Sequence, residues 1–295
     1  MTSAGQNVDV PPSTYRPRPS LATGPRSFTM SPFKESAPEF RNVENQASEL
    51  LPGWSVVDVA GHPCDIFTPE RPHTNSYVAM YLHGVHLGRL VDNPVATRLL
   101  AEYGLPCIAP LTQRSWWTDK ICEEFDPTLT AVRYVLDRVL PFAAERWKIL
   151  PSQLALFGTS MGGQGALRFA FKYPNRFPIV AALSPAIDYY TRYDEDDETI
   201  PLMYPDPEAA RQDSAILHVH PLNWPRNTYF CCDPADARWF DSSDRLRMKL
   251  YSLGIPYECD LETSAGGHSW SYYNHMLPKA FAFMLARLEQ ERLRV

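Results

Sequence analysis

Gly158-Thr159-Ser160-Met161-Gly162 sets one serine between two glycines. A serine hydroxyl is a poor nucleophile at neutral pH. It needs a base, and the base needs a carboxylate to orient it. G-x-S-x-G is the pattern of a nucleophile elbow, where a strand turns into a helix within a residue or two. The serine is held strained, with its hydroxyl exposed, and side chains two positions to either side would collide. Here an apolar run, "QLALF", precedes the turn, and a helical pattern from about Gly162 to Tyr173 follows it. The first N–H groups of that helix favour developing negative charge.

In a fold built around such an elbow, the chain order is serine, then acid, then histidine. "YECDLETSAGGHSWSYYNHM" supplies His268 on a loop after the last strand. His275 falls in the run entering the last helix and reads as structural. After the penultimate strand, "NTYFCCDPADARWFDSSDRL" offers Asp233, Asp236, Asp241 and Asp244. Asp244 belongs to the next helix and Asp241 resembles its cap. Asp233 and Asp236 both occupy the loop past the strand, and spacing leaves the two open. Asp188, after an earlier strand, is an outside candidate.

Acyl transfer also needs two N–H donors for an oxyanion. One belongs to the residue after the nucleophile, Met161. The other is expected from "YLHGVHLG", at Val85 or Gly84. Trp116, Trp117 and Trp270 are expected to line a substrate cleft. His83, His86 and the pair His218 and His220 lack a third partner of the right type, so no metal is expected. No cofactor is expected either.

These groups must be carried by strands and helices. "WSVVDVA" and "PCDIFTP" read as short strands turning at Gly61-His62. "SYVAMYLHG", "YGLPCIAPL", "QLALF", "PIVAALS", "NTYFCC" and "YECDLE" read as further strands. Leu129, Val132, Val135, Leu136 and Leu140 lie at helical spacing, with Asp126 and Pro127 suited to the helix start. Further helices are expected around 244–253 and from about Leu277. Strands alternating with helices imply an α/β fold: a mostly parallel central sheet with helices on both faces and an antiparallel opening edge.

Residues 1–45 are rich in Pro, Ser, Thr and Asn and read as a disordered or loosely docked tail. Residues 46–295 read as one domain. The acidic, aromatic stretch 189–213 is too long for a simple connection and is a candidate lid. The 295 residues suffice for a sizeable core. The net charge of −6 gives no basic footprint for nucleic acid and no polybasic membrane signal. The six cysteines form no CxxC pair. With no apolar leader at the start, they read as buried thiols of a cytoplasmic protein.

"FGTSMGGQGALRFAFKYPNRF" is similar to the elbow and following helix of the putative-esterase family of α/β-hydrolases. That family includes esterase D (S-formylglutathione hydrolase), feruloyl and acetylxylan esterases, and the antigen 85 mycolyltransferases. The resemblance runs from about Tyr81 to the C-terminal helix. It is strongest at S-M-G-G-x-G-A-L and at "GGHSW", which resembles the loop of the family's catalytic histidine. The esterase D pattern has an aspartate a few residues past the strand, then an aromatic. In "DPADARWF" the resemblance therefore implies Asp236 as the acid. The chain departs from the S-formylglutathione hydrolase subgroup at H-G-V-H-L-G and at G-T-S-M-G-G-Q-G.

The resulting expectation is a serine hydrolase that cleaves a small-molecule carboxylic ester through an acyl-serine. Rival readings are an acyltransferase or thioesterase with the same triad, and a non-catalytic binding protein on the same fold.

Overall fold

The computed structural model describes residues 50–195 and 198–294. The tail expected over 1–45 lies outside them, as do Asp196 and Asp197 of the acidic stretch.

The apolar runs are strands: β1 (Trp54–Val59), β2 (His62–Phe67), β3 (Val78–Leu82), β4 (Cys107–Pro110), β5 (Leu154–Thr159), β6 (Ile179–Leu183), β7 (Asn227–Cys231) and β8 (Glu258–Asp260). They form one sheet in the order β1-β2-β4-β3-β5-β6-β7-β8. β2 runs antiparallel to both β1 and β4, and every later pairing is parallel. Every residue of β3, β5, β6 and β7 is buried. Covered on both faces, these strands need no polar alternation, which is why they read as continuous apolar runs.

The helices are α1 (Pro94–Glu102), α2 (Ala131–Tyr134), α3 (Leu140–Trp147), α4 (Met161–Lys172), α5 (Ile200–Met203), α6 (Pro207–Gln212), α7 (Phe240–Ser252) and α8 (Trp270–Arg292). α1 and α8 close one apolar layer around Tyr81, Phe157 and Phe281. α2, α3, α4 and α7 close the other, around Met80, Leu156, Phe169 and Leu246. The ends of β3, β5, β7 and β8 then open onto one rim of the sheet, which carries Gly84, Ser160, Asp236 and His268.

Three boundaries differ from the sequence reading. The helix expected from Asp126 starts at Ala131, where the Thr130 hydroxyl accepts the Arg133 N–H at 3.1 Å. Asp126 instead caps the preceding turn, accepting from the N–H groups of Thr128 and Leu129. A π-helical turn, Val135–Val139, joins α2 to α3 just before Pro141. Proline has no N–H for the regular ladder, and the wider turn takes up the mismatch. Asp241 lies inside the first turn of α7, and its cap position is Trp239. α8 begins at Trp270 because Ser269 caps it, and it runs on through Pro278.

The described part of the acidic stretch is packed down. Tyr189, Ile200 and Ala210 are fully buried and Tyr204 is nearly so. The described part packs against α4 and the 112–118 loop, through Asp213 to Arg168 and Thr199 to the Arg114 carbonyl.

Candidate active site

Ser160 sits between β5 and α4 with φ 53° and ψ −118°. For a residue with a side chain this is a strained conformation, costing on the order of 1–3 kcal/mol, and it persists only where neighbours enforce it. The Ser160 N–H donates to Leu183 O at 3.0 Å, and its carbonyl accepts from the N–H groups of Ala186 and Gln164, both at 3.0 Å. The flanking glycines are steric necessities. A Cβ on Gly158 would lie 2.3 Å from Gly162 O, and one on Gly162 would lie 1.9 Å from Leu82 O.

His268 comes from the loop between β8 and α8. Its Nε2 is 2.8 Å from Ser160 Oγ, and its Nδ1 is 2.7 Å from Asp236 Oδ2. A carboxylate only accepts, so Nδ1 carries the proton and Nε2 turns its lone pair to the serine hydroxyl. Asp236 is buried, and its Oδ1 accepts the N–H groups of Arg238 and Trp239 at the start of α7.

Asp233 has a different position. Its carboxylate accepts from the N–H groups of Ala235, Ala265 and Gly267 and from the Ser264 hydroxyl, all within 2.8 Å. Burial alone would raise its pKa, but those donors outweigh it and bring it down to about 2. Asp233 thus holds the loop that carries His268 and does not touch the imidazole. Asp188 is ion-paired to Arg245, and His275 lies within α8.

Across the cleft, Gly84 and Val85 follow β3. The backbone there is set by buried His83. The Thr112 N–H donates to His83 Nε2 at 3.1 Å, so Nδ1–H donates to Gly84 O at 2.9 Å. Burial lowers the His83 pKa to about 4, which keeps the ring neutral. Trp117 Nε1–H donates to His83 O at 3.1 Å. Tyr81 hydroxyl meets Thr159 Oγ1 at 2.9 Å and Gly88 O at 3.3 Å, tying the two sides of the floor together. Met161 is the first residue of α4, so its N–H is one of the helix's unpaired first-turn donors.

The cavity over Ser160 is about 160 Å³ and is lined by Val85, His86, Ser160, His268, Trp270 and Tyr273, among others. Trp270 therefore lines the cavity over Ser160. Trp116 and Trp117 lie elsewhere. Both are buried in the core and neither lines the cavity. Each takes a positive φ, 51° and 53°, and their carbonyls accept from buried Gln164 and Arg168 of α4. Trp117 acts on the rim through His83, and Trp116 stacks on Tyr189 at 5.1 Å. Tyr273 escaped the sequence reading because the start of α8 was placed too late. Once Ser269 is recognised as the cap, Tyr273 falls one turn beyond Trp270, on the same face.

A larger apolar cavity, about 390 Å³, lies around Leu140, Ile149, Leu150 and Leu154, at the other end of β5. It holds none of the reactive groups. Among the described residues, no cluster of three or more His, Cys, Asp or Glu side chains could hold a metal ion. No helix among them is long and apolar enough to cross a membrane.

A family model described as "Putative esterase" matches residues 117–284, more than half of the chain. The chain belongs to this esterase family. It is an esterase-type hydrolase. No curated protein sequence matches it. Among solved structures, a ferulic acid esterase aligns with TM-score 0.62 and 17% identity, over 80% of this chain and 98% of that one. FphF, a fluorophosphonate-binding serine hydrolase of Staphylococcus aureus, aligns with TM-score 0.60 and 17% identity, over 76% and 92%. An S-formylglutathione hydrolase from Agrobacterium tumefaciens aligns with TM-score 0.61 and 18% identity, over 77% and 90%. At such identities the likeness establishes the α/β-hydrolase fold of this esterase.

Proposed function

We propose that this esterase cleaves small carboxylic esters with Ser160 as nucleophile, His268 as general base and Asp236 as the orienting acid. The observation that carries the reading is the position of His268, 2.8 Å from Ser160 Oγ and 2.7 Å from Asp236 Oδ2. In this reading Nε2 takes the hydroxyl proton as Ser160 attacks the carbonyl carbon. Asp236 keeps the Nδ1–H tautomer and stabilises the imidazolium that forms. The oxyanion is received by the Met161 N–H and by the N–H of Val85, which Gly84 allows close. Each such donor is worth on the order of 10²–10³ in rate.

His268 then returns the proton to the departing alkoxide. Water, deprotonated by the same nitrogen, attacks the acyl-serine, and the imidazolium returns that proton to Ser160 Oγ as the acid leaves. The small cavity and the Trp270 and Tyr273 rings favour a compact group next to the scissile bond. Neither a cofactor nor a metal enters any step.

The test is rapid-mixing kinetics on a panel of aryl and alkyl esters. An acyl-serine predicts a burst of alcohol equal to the enzyme present, followed by slower turnover. The burst should vanish in Ser160→Ala. Turnover by Ser160→Ala at the wild-type rate would contradict the reading.

A further inference from the structure

Cys232 directly follows β7 and is fully buried. Its sulfur lies 3.6 Å from Asp236 Oδ2, within thiol hydrogen-bond reach. That oxygen also accepts from His268 Nδ1. The other oxygen, Oδ1, takes the two N–H groups at the start of α7. Of the donors around this carboxylate, the thiol is the one that shares an atom with the imidazole. Burial, reinforced by the Asp236 charge beside it, pushes the thiol pKa up, so the sulfur stays protonated and can donate.

We propose that Cys232 is a positioning residue for the acid–base pair: its S–H donates to Asp236 Oδ2 and sets how much of that oxygen's charge is left for the His268 imidazolium. The proposal rests on the triad reading above. A thiol is a weak donor. It satisfies a lone pair of the buried oxygen and excludes water from it, yet withdraws little charge. A hydroxyl or a water in its place would withdraw more. The four-residue spacing from Cys232 to Asp236 also closes the loop on itself, so the thiol limits how far the carboxylate can swing.

Other groups face the pair from every side. Asp233 lies in the same loop. The buried hydroxyls of Ser184, after β6, and Ser243, in α7, lie beside the sulfur and can donate to it. Cys231 adjoins it from β7. Tyr273 of α8 and Tyr81 of β3 approach from the cleft side. His86 lies on the cleft side of the imidazole, and burial, with Arg192 and His268 nearby, lowers its pKa, which favours the neutral ring. Arg238 leans over Trp239 and is paired with Glu195. None of these, apart from the thiol and the two N–H groups, donates to Asp236 at hydrogen-bond distance from outside the triad.

The experiment is kcat/KM against pH for wild type, Cys232→Ala and Cys232→Ser. Removing the donor concentrates charge on Oδ2, so the imidazolium is held more strongly. The acid limb of Cys232→Ala should move up by about half a pH unit. A hydroxyl is the stronger donor, so Cys232→Ser should move it down. Acid limbs that stay in place in both folded variants would overturn the positioning role and leave the thiol as core filler.

A second measurement needs no change at Cys232. The infrared S–H stretch is compared between wild type and Asp236→Asn. The difference spectrum isolates the thiol whose acceptor lost its charge, and that band should rise in frequency. An unchanged S–H region would also overturn the proposal. Full activity of Asp236→Asn is a distinct outcome, because it would remove the triad reading and this proposal together.

Discussion

The rim and the wall behind it are built from similar residues and are wired in opposite ways. At the rim, Ser160, His268 and Asp236 form one line of hydrogen bonds that ends at a hydroxyl facing a cavity. The Met161 N–H beside it has no acceptor within its helix. Behind α4, buried Arg168 donates to Asp213 at 2.6 Å, Asp213 accepts from Tyr204 at 2.7 Å, and Tyr204 meets Tyr189 at 3.1 Å. Tyr189 then stacks on Trp116, while Arg168 reaches the Trp117 carbonyl at 3.5 Å. That circuit closes on itself and offers nothing to a substrate. An open chain of donors is suited to moving a proton. A closed one is suited to holding a strained loop.

This contrast can be broken from either end. The largest effect is expected at the nucleophile. Ser160→Ala should lower kcat by roughly 10⁴-fold or more, with unfolding unchanged. Asp236→Asn should come next, at about 10⁴, because the amide favours the wrong imidazole tautomer. Esterase kinetics beside thermal unfolding check both. In the wall the balance reverses. Arg168→Met removes the buried guanidinium from half-buried Asp213, which keeps His218 at 3.0 Å and Lys172 at 4.0 Å, and should cost about 2–3 kcal/mol of stability. Chemical denaturation measures it, and any activity loss should follow the folded fraction.

Asp233 lies between the two regions in kind. Asp233→Asn should cost about 1–3 kcal/mol, since one oxygen facing several donors becomes an amide nitrogen. The Asp233 pKa is depressed on folding, from 3.8 to about 2. Its contribution is therefore present above the ordinary carboxylate range and fades as pH falls through 3.8 toward 2. The stability gap between wild type and Asp233→Asn should narrow from about pH 6 to about pH 3. The smallest effect is expected for Trp117→Phe, which removes one N–H bond to His83 O. It should cost about 1 kcal/mol, with a several-fold loss in kcat.

Much of the rim was legible because its chemistry is local in the chain. Gly158, Ser160 and Gly162 are fixed by a turn five residues long, and the strands themselves follow from apolar runs. The sequence left Asp233 and Asp236 open because both lie three residues apart in one loop. What separates them is the direction of each carboxylate. One points at backbone N–H groups of the 264–267 loop and the other at an imidazole. Trp116 and Trp117 misled because two adjacent aromatics suggest a cleft wall. Their burial depends on Gln164 and Arg168, about fifty residues away. In the acidic stretch, charge and length are visible in the sequence. The Tyr189–Tyr204–Asp213 chain that packs it down is a tertiary feature. Tyr273 was hidden by a helix start placed at the apolar spacing and not at its serine cap.

The most direct test of the central claim is labelling with a fluorophosphonate probe, wild type beside Ser160→Ala, with the modified peptide mapped by mass spectrometry. An activated serine predicts stoichiometric labelling at Ser160, with no labelling of the folded Ser160→Ala protein. Folded wild-type protein that stays unlabelled, or carries the label elsewhere, would contradict it.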